Sequence, residues 1–327
     1  MKIAFAGLRH SHIFLMYQDA LANPDLEVLG AWDDLPEARQ EAEAAGLKVC
    51  FDTYEELLAA PGLEIVAFGG CYGDRGPLII KALEAGKHVM ADKPVCTSLD
   101  HLDRIEALAK ANNLKVGCAL TLRYEATTVA AKDLIDRGAL GEIQSVYMGG
   151  QHPYRAVGRP KWYYDPAKHG GTINDIGIHS IDLARFLTGH GLKDILGARC
   201  WCTRPEVAPT FKESGQFMVT LENGAGMLCD VSYHIPDSFG FKFPLYWRIS
   251  VWGVKGMLEY TYNSGHVTFY ENGKTEPQSI PGIPPASDYF SDFVKDVRGL
   301  PTPLNTAEVL QTQREILTLQ ARADGSL

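Results

Sequence analysis

The sequence predicts an α/β fold: an N-terminal Rossmann-type, doubly wound parallel sheet, then a C-terminal α+β domain with a large, mostly antiparallel sheet. Three observations carry the prediction. Residues 2–120 alternate short apolar runs with amphipathic helical stretches, as a parallel sheet covered on both faces requires. Beyond residue 142 the apolar runs lengthen and are joined by turn signals such as Asn223-Gly224 and Asn272-Gly273, the mark of antiparallel pairing. The length of 327 residues exceeds one usual core, so two domains are expected. The reading places a dinucleotide-binding domain at 1–122 and a substrate-binding and oligomerisation domain at 123–327, with the C-terminal helix packing back on the first.

In chain order, strands are predicted at 2–6, 26–32, 48–51, 65–68, 87–91 and 115–120. Helices separate them at 11–22, 36–45, 54–59, 76–85 and 98–112, the second opening on Pro36, a residue suited to a first helical turn. Residues 123–138 form a helix with Arg137-Gly138 at its C-cap, and a strand follows at 142–148. Further strands at 195–203, 214–221, 225–233, 246–253, 256–261 and 266–270 make a sheet of about six strands. The tail returns to helix at 286–297 and 306–323.

Composition excludes several classes. With 46% hydrophobic and 22% charged residues, the chain is an ordinary globular protein. A net charge of −9, with no cluster of Lys and Arg among aromatics, argues against a nucleic-acid partner. No apolar run reaches membrane-spanning length, and the start, interrupted by Arg9 and His10, reads as a strand rather than a signal peptide, so a cytoplasmic location is expected. Seven scattered cysteines form no paired framework. Cys200 and Cys202 flank Trp201 on one predicted strand and read as packing.

Two features point to a dinucleotide. Gly7 opens the turn after the first strand, and the second strand ends in Asp33-Asp34, where such folds place the acid that bonds the adenosine ribose. An acidic pair there repels a 2′-phosphate, which favours NAD over NADP. The loop reads Gly7-Leu8-Arg9-His10-Ser11-His12, so only the first glycine of G-x-G-x-x-G is kept. The helix N-terminus behind it remains an anion site, with Arg9 adding charge. Reading His10 and His12 as metal ligands finds no carboxylate or Cys partner nearby in the sequence, so no metal is expected.

The stretch from Gly170 to Leu187 places ionisable groups in an apolar helical frame. With Thr172 or Asn174 as cap and an end near Gly189, Asp175 and His179 lie four residues apart on one face, continued by Asp182 and Arg185. A His steered by a carboxylate suits a general base. An amphipathic helix with an ordinary surface His is the competing reading. Asp182 is expected to pair with Arg185 at the helix surface. The loop before it, at 151–171, carries His152, Tyr154, Arg155, Arg159, Lys161, Trp162, Tyr163, Tyr164 and Lys168, flat rings and donors that suit a polyhydroxylated ligand or an interface.

Several segments together resemble the Gfo/Idh/MocA family of glucose-fructose oxidoreductase and inositol dehydrogenase. They are Ala82-Leu83-Glu84-Ala85-Gly86-Lys87-His88-Val89 running into Asp92-Lys93-Pro94, Gly138-Ala139-Leu140-Gly141-Glu142-Ile143, and the 170–187 segment. The resemblance implies that Lys93, in the place of the family's E-K-P lysine, contacts the substrate hydroxyl and the cofactor side, and that Asp175 and His179 form the D-x-x-x-H pair with His179 as proton acceptor. Asp92 replaces the usual Glu. Gly69-Gly70-Cys71-Tyr72-Gly73-Asp74 stands where the family has a T-P-N-H-like stretch, which assigns Gly70, Cys71 and Tyr72 to the nicotinamide-ribose side. Arg123, Trp162, Tyr163 and Lys168 complete the expected substrate contacts.

The expected activity is hydride transfer between NAD and a sugar, polyol or sugar-derived ketone. Two alternatives stand beside it: a glycoside-cleaving or epimerising enzyme that oxidises transiently with recycled NAD and uses the same residues, and a non-catalytic dinucleotide or sugar sensor, which the broken glycine loop favours and the retained Lys93, Asp175 and His179 oppose. A homodimer or homotetramer through the C-terminal sheet is expected.

Overall fold

The computed structural model describes residues 1–155 and 157–326. Ala156, inside the predicted aromatic loop, and Leu327 lie outside them. The chain forms two compact units: Met1–Leu120, Ala167–Gly170 and Ser287–Arg314 in the first, and Thr121–Pro166, Gly171–Ala286 and Glu315–Leu327 in the second. A single cut after residue 122 does not describe this interleaving.

The first unit is built on strands β1 (Lys2–Ala6), β2 (Glu27–Trp32), β3 (Leu63–Phe68), β4 (His88–Ala91) and β5 (Val116–Cys118), with helices α1 (His12–Ala22), α2 (Pro36–Ala44), α3 (Tyr54–Leu58), α4 (Tyr72–Glu84) and α5 (Leu99–Ala111). The strands pair in parallel in the order β2-β1-β3-β4-β5. Ile3 to Ala6, Ile65 to Phe68 and Val89 to Ala91 are buried, because helices cover both faces and no position can alternate to water. Such a sheet offers its ligand crevice where the strand order reverses, between β1 and β3, at the carboxyl ends.

The predicted strand at 48–51 is reduced to one bridge, Val49 to Ala31. Two bonds hold it, Ala31 N–H to the Lys48 carbonyl at 2.8 Å and Cys50 N–H to the Ala31 carbonyl at 3.2 Å. Thr53 then caps α3 through the Glu56 N–H, which turns the chain away from the edge. Helix α4 begins four residues before its predicted start. Gly73, Gly76 and Pro77 weaken the helical signal there, yet close packing demands both glycines: a Cβ at Gly73 would lie 2.0 Å from the Ala167 carbonyl oxygen, and one at Gly76 would lie 2.6 Å from the His101 ring.

The second unit contains α6 (Ala126–Asp136), β6 (Ile143–Pro153) and a π-helical turn at Ile173–Gly177 that runs into α8 (Ile178–Thr188), while all of the single turn α7 (Pro166–His169) but its first residue belongs to the first unit. Strands β7 (Leu192–Trp201), β8 (Ser214–Leu221), β9 (Gly226–Ile235), β10 (Arg248–Gly253), β11 (Gly256–Thr261), β12 (His266–Glu271) and β13 (Gln278–Pro281) join β6 in an eight-stranded sheet, two strands more than the predicted six runs. Its order is β13-β12-β11-β10-β6-β9-β8-β7, antiparallel except for β6 beside β9. Helix α8 ends at Gly189, whose φ of +75° is the left-handed cap that only glycine adopts freely. Helices α9 (Tyr289–Val297) and α10 (Thr306–Asp324) complete the chain. Among the described residues no helix is long and apolar enough to cross a membrane.

Asp182, expected at the helix surface with Arg185, is fully buried on α8. Both its oxygens accept from Arg123 Nε at 2.8 Å, and Arg123 Nη2 lies 2.7 Å from Oδ1. Arg185 pairs instead with Glu315. An ion pair with no exposed surface has no water to replace a missing partner. Asp182→Ala is therefore expected to lower the unfolding free energy by about 3–5 kcal/mol. The double variant Arg123→Met/Asp182→Leu should recover most of that loss in urea denaturation.

Candidate active site

In the first unit, the loop after β1 is organised by Gly7 and Asp33. Gly7 has φ +74°, and a Cβ on it would lie 2.8 Å from the backbone of Gly70, so glycine is required for the approach of the β1 and β3 ends. Asp33 is 1% exposed. Its Oδ2 accepts from Leu8 N–H at 2.7 Å, and its Oδ1 accepts from Leu35 N–H at 2.8 Å and from Arg9 Nε at 3.1 Å. Arg9 also pairs with Asp34, so its guanidinium bridges the acidic pair. The residue predicted for the ribose thus already closes the loop, with Arg9 lying over it. Arg9 stays charged at any working pH: burial opposes its charge, and Asp33 and Asp34 outweigh burial.

The expectation that His10 and His12 have no carboxylate beside them is corrected by the fold. Asp92, eighty residues on at the end of β4, meets both: its Oδ2 is 2.7 Å from His10 Nδ1, and its Oδ1 is 3.0 Å from His12 Nδ1. Arg75, 1% exposed, donates from Nη2 to Asp92 Oδ2 at 2.9 Å and from Nη1 to the Asp92 and Pro94 carbonyls, each at 2.8 Å. Lys93 N–H donates to Asp92 Oδ1 at 2.8 Å. Burial would raise the pKa of Asp92, but the charges of His12, His10 and Arg75 hold it well below the usual carboxylate range. Burial and the neighbouring His12 push His10 down to about 4, against the pull of Asp92.

Tyr72, on α4, joins this cluster through its hydroxyl, 3.1 Å from His10 Nε2. Lys93 Nζ lies 5.7 Å from the centre of the Tyr72 ring. Cys71 precedes α4 and is buried, with its thiol pKa raised by that burial and by Asp74. Lys168, predicted on the substrate side, belongs to the first unit and pairs with Asp74.

In the second unit, Asp175 lies in the π-helical turn and His179 in the first turn of α8, and they are only 2% and 6% exposed. A surface His is thereby ruled out. A π turn inside a helix is a rarity that tends to mark functional positions. Asp175 Oδ2 accepts from the Tyr233 hydroxyl. Burial, with the charge of Asp175, drives the Tyr233 pKa far above its ordinary value, so the phenol stays a donor. The His179 ring meets Trp247 edge-on at 5.3 Å. Room for that indole comes from Gly150, where a Cβ would lie 2.5 Å from it.

Around this pair stand rings from the predicted aromatic loop together with Tyr233, Phe241, Tyr246 and Trp247, which sequence reasoning did not select. His152 is within 6.1 Å of the rings of Tyr233, Phe241, Tyr246 and Trp247. Arg159 lies 4.6 and 4.5 Å from the centres of Tyr163 and Tyr233. Trp162 stacks on Tyr163 at 4.2 Å. His152 and Arg159 stood in the predicted aromatic loop; Tyr233 and Trp247 arrive from β9 and the start of β10, with no local signal. Arg123, expected at the substrate, is held by Asp182 behind α8.

Asp33→Ala removes the acceptor of two backbone N–H groups and releases Arg9. Stability should fall by about 1–3 kcal/mol in chemical denaturation without any dinucleotide. A residue serving only a ribose would leave it unchanged.

Comparison with known proteins agrees with this architecture. Residues 1–120 match the oxidoreductase family model with an NAD-binding Rossmann fold, and residues 128–259 match the GFO/IDH/MocA C-terminal domain. The scyllo-inositol 2-dehydrogenase (NAD(+)) of Bacillus subtilis is 27% identical over 233 residues, 71% of this chain and 65% of that protein. The dTDP-3,4-didehydro-2,6-dideoxy-alpha-D-glucose 3-reductase of Streptomyces violaceoruber is 27% identical over 194 residues, 59% of this chain and 56% of that one. The matches thus span between about half and two thirds of those relatives. An inositol dehydrogenase homolog from Azotobacter vinelandii, solved with NADH and myo-inositol, superposes with a TM-score of 0.81 at 21% identity, covering 99% of this chain and 96% of its own. The chain belongs to the Gfo/Idh/MocA family of oxidoreductases.

Proposed function

We propose that the chain transfers hydride between NAD and a CH–OH group of a sugar, polyol or sugar-derived ketone. The observation that carries this reading is the buried Asp175 and His179 pair, with Asp175 fixed by the Tyr233 hydroxyl. An acid and a base removed from water and surrounded by flat rings suit a polyhydroxylated substrate, whose apolar faces stack while its hydroxyls find donors. The inositol and deoxysugar chemistry in the names of the two relatives supports the same class.

NAD, when bound, supplies the hydride acceptor. The first unit fits such a ligand: a parallel sheet reverses order beside β1, Gly7 brings the loop close to Gly70, and α1 begins behind it. NAD is preferred to NADP because Asp33 and Asp34 carry two negative charges against the one of Arg9. His179 takes the hydroxyl proton onto its imidazole, and Asp175, held by Tyr233, orients that ring or a neighbouring hydroxyl. Lys93 donates to the substrate oxygen as charge develops there.

His179→Ala and Lys93→Ala should each lower kcat by about 10²–10⁴-fold while NAD affinity, read by fluorescence titration, is retained. Full activity in both variants contradicts the assignment. In a thermal-shift panel NAD should stabilise the protein and NADP should not; a response to NADP alone reverses the reading of Arg9 and Asp33.

Self-association through the eight-stranded sheet belongs to the same proposal. Met218 and Leu228 face each other across β8 and β9, 44% and 54% exposed, and Tyr147 lies opposite Leu228 on β6. Sedimentation should give a multiple of the chain mass, and the mass of one chain excludes it.

A further inference from the structure

We propose that His10, His12 and Asp92 form a binding site for a divalent transition metal of the zinc class. One ligand atom from each residue lies within 4.8 Å of the other two. The contacts of 2.7 Å from His10 Nδ1 to Asp92 Oδ2 and 3.0 Å from His12 Nδ1 to Asp92 Oδ1 are hydrogen-bond distances. Neighbouring donors around a tetrahedral zinc with bonds of about 2.0–2.2 Å stand roughly 3.3–3.6 Å apart, so the three side chains admit the ion by separating by less than about 1 Å. On coordination each neutral imidazole presents an unprotonated Nδ1 to the metal and carries its ring proton on Nε2, which for His10 faces the Tyr72 hydroxyl. Two imidazoles and one carboxylate are borderline ligands that select zinc, cobalt or nickel over calcium and magnesium.

The surroundings are those of a built site. Metal-bound His and carboxylate groups are oriented by outer hydrogen bonds, and here each buried ligand has one. The Tyr72 hydroxyl meets the far nitrogen of His10 at 3.1 Å, while Arg75 and the Lys93 N–H hold the two oxygens of Asp92 at 2.9 and 2.8 Å. Arg75 is 1% exposed and tied to three backbone carbonyls, which fixes the carboxylate before any metal arrives. His12 is the open side: its side chain is 44% exposed, leaving a path for entry and a position for water or an exogenous ligand. A bound metal joins the loop after β1 to the end of β4, next to Lys93.

The test uses the full chain, freed of metal by a chelator. Zinc competition against a chromophoric chelator should show one tight equivalent, and zinc should raise the melting temperature. His12→Gln, which changes the exposed ligand and leaves Arg75 and Asp92 in place, should weaken zinc at least about 10-fold with an unchanged melting temperature in its absence. Cobalt should give the visible bands of a tetrahedral nitrogen and oxygen site without sulfur charge transfer. Equal zinc affinity in the wild type and in His12→Gln, no bound equivalent, or a sulfur-to-cobalt band from the cysteines would each overturn the proposal.

Discussion

A carboxylate with no exposed surface must either be protonated or be surrounded by donors, and Asp92 is surrounded. Arg75, His10, His12 and the Lys93 N–H converge on its two oxygens, and the donors together with nearby positive charge hold it ionised against the cost of burial. This single group therefore fixes three things at once: the conformation of the loop after β1, the start of α4 through Arg75, and the backbone from which Lys93 projects. The family pattern calls for glutamate at this position. In this chain the shorter aspartate meets His10 and also His12, which stands at the last glycine position of the G-x-G-x-x-G loop.

The second unit solves a related problem with a neutral partner. Asp175 sits in a π-helical turn and is held by the phenol of Tyr233, whose own ionisation is suppressed by burial and by the carboxylate it bonds. The wall of rings from β6, β9 and β10 then excludes water from the Asp175 and His179 pair. Low polarity strengthens each remaining electrostatic interaction, which is what proton transfer from a weakly acidic hydroxyl requires. The buried Arg123 and Asp182 pair braces α8 from behind and keeps that geometry.

The sequence made the two-sheet architecture legible because strand and helix periodicity are local. Buried runs such as Ile65 to Phe68 and the capped helix ending at Gly189 declare themselves within a few residues. Asp175 and His179 were legible for the same reason, being neighbours on one segment. What local pattern did not show was every partner brought from far along the chain: Asp92 to His10 and His12, Arg123 to Asp182, Tyr233 to Asp175. The reduction of the 48–51 strand to the Val49 bridge and the early start of α4 were not legible because edge geometry and glycine packing, not propensity, decide them. Asp33 was found by position, while its bond to Leu8 and its cover by Arg9 depend on a loop that departs from the usual glycines.

The central claim is that this chain moves a hydride between a carbinol carbon and a nicotinamide. The most direct measurement incubates the full chain with NAD and a panel of ring-deuterated inositols and aldoses, then reads the nicotinamide C4 position by NMR. The account predicts that at least one member delivers a deuteride to one face of C4, and that His179→Ala slows this delivery by about 10²–10⁴-fold while NAD still binds. Saturating NAD binding with no deuterium at C4 from any member of the panel would contradict it.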